Sequence, residues 1–531
     1  MNSVLHHTQY LRSHILWWIA LCSVATVTAQ QIPMHPVPRV TETPARTTDT
    51  ARQERRFARS ALRELQTDID ALLKSRDVTN AHIGISVISA ETGESVYREN
   101  HQKNFIPAST LKLFTTAAAL DFLGKDFSYC TRLYLDGIVQ KSGEFHGNVI
   151  IRGAGDPTWS SSFNVNPTDI FEAWAQKLDS LGITSIKGNI IGDDSYFEGS
   201  VYAPGWMWDD MTFPYSAQIS AISSGDNKID ITVMPGAIAG DAAKITVKND
   251  HKFVRIINSI ITVSGTDIPD ITTVRQPNSN VIELRGRMPI AGKGDRDPYT
   301  VSVTIDNPTQ FTINQFKNIL EDHGIKIRGA VLDIDDWNER INYTVMQPVA
   351  QHFSPTILSI INVINRQSHN LCAESLLKTL GKETSGVGSF EKGVEYVKKF
   401  LMKNGISTDD MTMVDGSGLS RLNLCTPHQL TQLLLLMNRG ECRQEFASSL
   451  ASPGESGTMR TRVLGTLAEK RLRAKTGSMN NVSTLAGYVT TRDNETLCFA
   501  IMMNNFTVQE SIARNLQDLI TMRLASFSRK N

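Results

Sequence analysis

The sequence predicts an α+β protein in which one domain is split by a large β-rich insertion. Three observations carry that prediction. A mixture of helices and short strands opens the chain after residue 52 and returns after Gln351. Between them, from about Tyr134, the apolar residues gather in short β-branched pieces such as NVIIRGAGDP and GNIIGDDSYF. The chain is also long, and 531 residues correspond to about three to four domains. One interrupted domain explains the return of the opening texture better than a row of independent ones.

The elements follow in order. Arg12 and His14 precede the apolar run Ile15 to Ala29, which closes on the small residues Val27-Thr28-Ala29 before Gln30. A basic flank, a short apolar stretch and a small-residue end predict a signal peptide over residues 1–29, cleaved near Ala29. The run falls short of the roughly 20 residues that span a bilayer; retained, it would associate the chain with a membrane. Leu21 before Cys22 is too large for a lipoprotein site. Residues 30–51, with Pro33, Pro36, Pro38 and Pro44, read as an extended tether. Phe57, Leu62, Leu65, Ile69, Leu72 and Leu73 then recur at helical spacing over 52–75. AHIGISVISAETGESVYREN reads as a hairpin turning at Glu91-Thr92-Gly93. An alanine-rich helix follows Pro107 and stops at Gly124. Residues 134–350 form the insertion, with 228–301 strand-like enough to be a nested subdomain and a helix returning near 314. Residues 351–531 carry three helical segments, the strands STLAGYVTT and ETLCFAIMMNN, and a last helix over 508–527. The split domain therefore comprises 52–133 and 351–531.

Composition removes several function classes. With 54 basic and 54 acidic side chains there is no basic domain of the kind that binds nucleic acid. Hydrophobic residues at 40% and charged residues at 20% exclude a disordered polyelectrolyte. Past the signal remain Cys130, Cys372, Cys425, Cys442 and Cys498, with no CxxC spacing for zinc or redox work. The twelve histidines include no HExxH pair, so no metal and no cofactor is expected.

Three short motifs carry chemistry. Ser109-Thr110-Leu111-Lys112 opens the alanine-rich helix, and a spacing of three puts Ser109 and Lys112 on one helical face. Serine attacks only when a base takes its proton, and a lysine sunk among apolar groups or other cations can be that base. Ser368-His369-Asn370 lies in a polar break between helical segments, where a hydroxyl and an amide can point into one cleft. Lys475-Thr476-Gly477-Ser478 contains the only KTG in the chain. There a cation and a hydroxyl suit a carboxylate, and the glycine allows close approach to the backbone. Alone, each motif is common. SxxK recurs at Ser375/Lys378 and Ser389/Lys392, read as solvated helix faces, and SxN recurs at Ser162/Asn164 and Ser478/Asn480. Together and in this order they form the serine–lysine acyl-transfer set of β-lactamases and penicillin-binding proteins.

The chain resembles the low-molecular-mass class C penicillin-binding proteins, the D-alanyl-D-alanine carboxypeptidase/endopeptidases, over about residues 52 to 527. Beyond the three motifs the resemblance rests on TGESVYREN…FIPASTLKLFTTAAAL, GAGDPTW, GNIIGDDSYF, PGWMWDD, DGSGLSRLNLCTP and GTMRTR. It implies an α/β/α, β-lactamase/transpeptidase-like catalytic domain, the long gap between Ser109 and Ser368 being filled by inserted domains. It also implies that Ser109 attacks the carbonyl between two terminal D-alanines of a peptidoglycan stem peptide while Lys112 takes its proton. Ser368 and Lys475 pass that proton to the leaving amine. Asn370 orients the acyl side chain, Lys475 and Thr476 hold the terminal carboxylate, and Gly477 lets the substrate approach. The N–H groups of Ser109 and Ser478 make the oxyanion hole, and penicillin acylates Ser109 and stays. Asp156, Arg421 and Met479 match the family's pocket for the stem-peptide side chain, where an acid and a base grip the zwitterionic end of a diaminopimelate residue. Trp206 and Trp208 are expected to pack the insertion.

The chain departs from that pattern at Thr110, commonly Asn, at Ser478, commonly Thr, and at His369, whose side chain is expected to point outward. A β-lactamase would need an efficient deacylation base, and no motif supplies one. A non-catalytic wall-binding relative is disfavoured by three intact motifs. The expectation is an exported, periplasmic hydrolase with peptidoglycan stem peptides as substrate, β-lactam antibiotics as inhibitors and no nucleic-acid partner; the sequence leaves the oligomeric state open.

Overall fold

The computed structural model describes residues 45–247, 253–265, 268–290, 298–455 and 457–530. The expected signal peptide and most of the tether lie outside them. Helix α1 (Ala45–Leu73) starts directly after Pro44, so residues 45–51, expected to be extended, are helical. No proline interrupts the chain between Pro44 and Pro107, and the stretch is rich in good helix formers. Leu65 and Ile69 are fully buried, with Leu62, Leu72 and Leu73 around them, whereas Phe57 stays exposed.

The expected hairpin is β1 (His82–Ser89) and β2 (Ser95–Glu99). After Pro107 comes a 3-10 turn, Ala108–Leu111, which runs into α2 (Lys112–Leu123). The intervening region then builds β3 (Cys130–Val139), β4 (Glu144–Arg152), α3 (Pro167–Ser180), β5 (Ser185–Lys187) and β6 (Ile190–Asp193). It continues with β7 (Lys228–Met234), β8 (Lys244–Val247), β9 (Arg255–Val263), β10 (Asp270–Arg275), β11 (Val281–Pro289) and β12 (Tyr299–Thr304). Helix α4 (Pro308–Asp322) and strands β13 (Lys326–Ile327), β14 (Val331–Asp333) and β15 (Ala350–Phe353) close it. Five helices follow: α5 (Ile357–Gln367), α6 (Asn370–Ser385), α7 (Phe390–Lys403), α8 (Pro427–Arg439) and α9 (Arg443–Ser449). The chain ends with β16 (Leu472–Met479), β17 (Val482–Thr490), β18 (Thr496–Asn504) and α10 (Glu510–Ser526).

The two chain ends share one antiparallel sheet of five strands, ordered β16-β17-β18-β1-β2. Period-two alternation gives it two apolar faces, so it must be covered on both. Phe499, Ile501 and Met503 of β18 pack with Leu65 and Ile69 of α1 and Leu516, Ile520 and Leu524 of α10. Cys498, Ala500 and Met502 face a larger core with α2, α5, α6 and α8. The result is the three-layer α/β/α arrangement.

The intervening region is less purely β than expected. Helices α3 and α4 cover a seven-stranded sheet of β3–β6 and β13–β15, with Phe171, Trp174, Leu178, Phe316 and Leu320 against Phe145, Val149, Ile186 and Ile190. Helix α3, absent from the sequence reading, carries ordinary start signals. The Asn166 side chain accepts from Thr168 N–H, and Pro167 supplies the first turn. Strands β7–β12 form two three-stranded sheets around Ile231, Val233, Ile260, Ile282 and Leu284, a core that also takes Phe311 from α4. Residues 54–531 make one compact unit. Among the described residues no helix is long and apolar enough to cross a membrane, and Cys130, Cys372, Cys425, Cys442 and Cys498 carry free thiols.

Candidate active site

The turn that bears Ser109 is held from three sides. Phe105 exchanges backbone hydrogen bonds with Cys425 (2.9 and 3.0 Å), and Ile106 N–H donates to Asn504 Oδ1 at 2.7 Å. Edge strand β16 runs against it so closely that a Cβ at Gly477 would lie 2.9 Å from Ser109 N. Ala108 sits at φ +46°, and a Cβ at Gly418 would come within 1.9 Å of its carbonyl oxygen. Gly418 itself has φ +80°, so both its conformation and its closeness to the turn require glycine.

Lys112, at the start of α2, is 0% exposed. Its Nζ lies 2.9 Å from Ser109 Oγ, 2.7 Å from Asn370 Oδ1 and 2.6 Å from the Ser417 carbonyl. Burial pushes the lysine pKa down to about 7, against the upward pull of the Glu374 and Asp415 carboxylates and Cys372. A neutral amine in contact with the serine hydroxyl can accept its proton.

Ser368 ends α5 in the left-handed region (φ +65°), which turns its hydroxyl toward β16. There Lys475 Nζ donates to Ser368 Oγ at 2.9 Å and to the Thr476 carbonyl at 2.8 Å. Lys475 is fully buried, and burial plus repulsion from Lys112 holds its pKa well below the usual lysine value. Asn370 opens α6; its Nδ2 donates to the Tyr215 carbonyl at 2.7 Å, leaving one amide N–H for another acceptor.

These groups border a cavity of about 710 Å³ lined in part by Ser109, Ser368, Asn370, Arg421, Ser478 and Met479. Lys112, Lys475, Thr476 and Gly477 stand behind that lining. Arg421 Nη2 donates to the Asn480 carbonyl at 2.6 Å, and Ser478 Oγ donates to the Glu510 carboxylate.

Four sequence expectations are corrected here. Asp156 is not part of the lining. It is 3% exposed, and its Oδ1 accepts from Thr158 N–H at 2.9 Å, so GAGDP acts as a turn, with burial raising the carboxyl pKa to about 6. The acids that do reach the cavity are Asp209, Asp210 and Glu510, joined by Met207 and Tyr215. PGWMWDD held the first two in plain view.

Trp206 packs, donating Nε1–H to Asp415 at 3.1 Å, but its neighbour Trp208 is 80% exposed. His369 does not point outward. Its Nε2 lies 3.3 Å from Asp226 Oδ1, while Nδ1 caps α6 by accepting from Cys372 N–H at 3.4 Å. A proton on Nε2 alone serves both contacts. Burial opposes charging of the ring, while Cys372 and the Asp226 carboxylate pull its pKa upward. Finally, Ser375 and Lys378 are not solvated. Both are buried, and Lys378 Nζ donates to the Ser200 carbonyl at 3.1 Å over the Phe390 ring. Ser389 caps α7, and Lys392 pairs with Glu395 at the surface.

A family model described as the D-Ala-D-Ala carboxypeptidase 3 (S13) family matches residues 65–527. The chain belongs to that family. It is 31% identical over 478 residues to a D-alanyl-D-alanine carboxypeptidase of Actinomadura sp. (strain R39), covering 88% of this chain and 85% of that protein. It is 27% identical over 463 residues to the penicillin-sensitive carboxypeptidase A of Dictyostelium discoideum, covering 82% and 84% of the two chains. The crystal structure of penicillin binding protein 4 (dacB) from Haemophilus influenzae superposes with a TM-score of 0.75 at 23% identity, over 86% of this chain and 99% of that one. The fold is therefore that of penicillin binding protein 4, and the Ser109–Lys112 contact lies inside the S13 match.

Proposed function

We propose that the protein is a serine-type D-Ala-D-Ala carboxypeptidase that also cleaves D-Ala–diaminopimelate cross-links of peptidoglycan, through an acyl-enzyme on Ser109. The observation that carries this reading is the pair of serine–lysine contacts at one cavity, Lys112 Nζ to Ser109 Oγ and Lys475 Nζ to Ser368 Oγ, each 2.9 Å. Neutral Lys112 takes the Ser109 proton as Oγ bonds to the carbonyl carbon. The tetrahedral oxyanion forms near the N–H groups of Ser109 and Ser478. Collapse breaks the C–N bond, and the leaving amine receives its proton through Ser368 and Lys475. Water then attacks the acyl carbon and gives a proton to Lys112, which returns it to Ser109 Oγ as the C–Oγ bond breaks and the acid leaves.

The free N–H of Asn370 suits the acyl side chain, and Thr476 and Ser478, flanking Gly477 on β16, suit the terminal carboxylate. Arg421 with Asp209 and Asp210 supplies the base and acid for a zwitterionic side-chain end, the part the sequence reading gave to Asp156; Met479 lines the same space. β-Lactams acylate Ser109 and remain, because their leaving group stays attached. The amino-terminal 29 residues support export and a periplasmic site of action.

The test is labelling of the full chain with a reporter penicillin followed by peptide mapping. An adduct on Ser109, lost in Ser109→Ala, is expected. An adduct on Ser375 or Ser389, or none on folded protein, overturns the reading.

A further inference from the structure

Lys112 has three acceptors, and none is a carboxylate. The carboxyl groups lie one layer behind. Glu374 is completely buried on α6, one turn after Asn370, so a single helix face presents both residues toward Lys112. Its two oxygens accept the N–H groups of Gly416 (2.7 Å) and Ser417 (2.8 Å), and the Ser417 carbonyl is the one that receives Lys112 Nζ. The same loop is fixed again by Thr115 Oγ1, which donates to the Gly416 carbonyl at 2.8 Å. It is also fixed by Asp415, whose carboxylate accepts from Gly418 N–H, Ser420 N–H, Asn423 Nδ2 and Trp206 Nε1. A direct carboxylate contact would lock Lys112 as an ammonium and disable it as a base. Indirect placement offsets part of the burial penalty and leaves the amine free to exchange its proton.

We propose that Glu374 is a positioning residue for acylation: its carboxyl group pins the Gly416–Ser417 backbone that holds Lys112. The proposal rests on the acyl-enzyme reading above. The other ionisable groups acting on Lys112 are Asp415 and Cys372, which favour its charged form, and Lys475, which opposes it.

The experiment follows the rate of Ser109 acylation by a reporter penicillin from pH 5 to 9 in the full chain. Below the Lys112 pKa the base is protonated, so the rate climbs with pH and then levels. In Glu374→Gln one N–H loses its acceptor and the plateau falls by about 10-fold, while the limb moves by less than about half a unit, because burial and Asp415 push the Glu374 pKa up to about 8 and leave it largely uncharged below that. Thr115→Val loosens the same loop without changing charge, so its plateau falls and its limb stays. Should Glu374→Gln not fold, Glu374→Asp keeps two carboxyl oxygens at a shorter reach and must retain the limb while losing plateau rate. A plateau within about twofold of wild type in Glu374→Gln or Thr115→Val, or a limb displaced by about a full unit in any of the three variants, overturns the role of Glu374. An unlabelled wild-type Ser109 would instead overturn the acyl-enzyme reading itself.

Discussion

Gly477→Ala tests whether the closeness of β16 to the nucleophile turn is what sets Ser109. A Cβ at 477 would lie 2.2 Å from Thr484 Oγ1 and 2.9 Å from both the Pro107 carbonyl oxygen and Ser109 N. Thr484 can turn away only by giving up its 2.7 Å bond to the Pro107 carbonyl, inside a fully packed site. That lost bond costs about 1 kcal/mol, and overpacking adds about 1–3 kcal/mol, so the melting temperature should fall by several degrees. The two backbone contacts have no such escape, and relieving them moves strand and turn apart by about half an ångström. Since a 1 Å misplacement costs about 10²-fold in rate, acylation by a reporter penicillin should slow by about 10-fold. Adding Thr484→Ala removes the 2.2 Å clash and should restore stability in part, while acylation stays slow. Gly477→Ala that acylates within twofold of wild type would falsify the reasoning.

Three further outcomes follow from the same geometry. Asp156→Asn should leave kcat/KM for a stem peptide within twofold, because Asp156 stands outside the cavity, whereas Asp210→Asn should raise KM about 10-fold; equal effects in steady-state assays would contradict the lining. Trp206→Phe leaves the buried Asp415 carboxylate without one of its donors and should cost about 1–3 kcal/mol in urea unfolding, while Trp208→Phe should stay within about 0.5 kcal/mol. His369→Ala strands the Asp226 carboxylate and uncaps α6, a loss of about 2 kcal/mol once partial exposure is allowed for. The double variant His369→Ala/Asp226→Asn should melt higher than His369→Ala; if it does not, the pair carries no such energy.

What the sequence discloses and what it hides divide along the range of the interaction. Ser109 and Lys112 are three residues apart, so helical geometry alone brings them together. Ser368 and Asn370 flank a helix break written in polar residues. Gly477 is read as the point where substrate approaches the backbone; what presses on it in the structure is Thr484 and the Ser109 turn. By contrast, two of the three acids in the cavity, Asp209 and Asp210, come from a stretch between Gly205 and Tyr215, and no local pattern says that this stretch folds back beside Arg421. Asp156 lies in GAGDP, and the turn-forming power of GDP accounts for its place. The burial of Lys378 depends on Phe197 and Phe390 arriving from distant segments. A serine–lysine spacing on a helix carries no information about which side of that helix is covered.

The intervening region also does more than interrupt the catalytic part. Tyr215 receives Asn370 Nδ2 on its carbonyl, Trp206 donates to Asp415, and Asp226 pairs with His369. Each contact ends on a group one or two bonds from the Lys112 environment: Asn370 touches Lys112 directly, Asp415 begins the loop that holds it, and His369 lies between Ser368 and Asn370. Excising this region would leave a buried carboxylate short of a donor and a helix-capping imidazole without its partner, each costing about 1–3 kcal/mol. It would also remove Asp209, Asp210 and Tyr215 from the wall of the cavity. Residues that line the cavity and residues that hold the surroundings of Lys112 come from the same short run, 206–215.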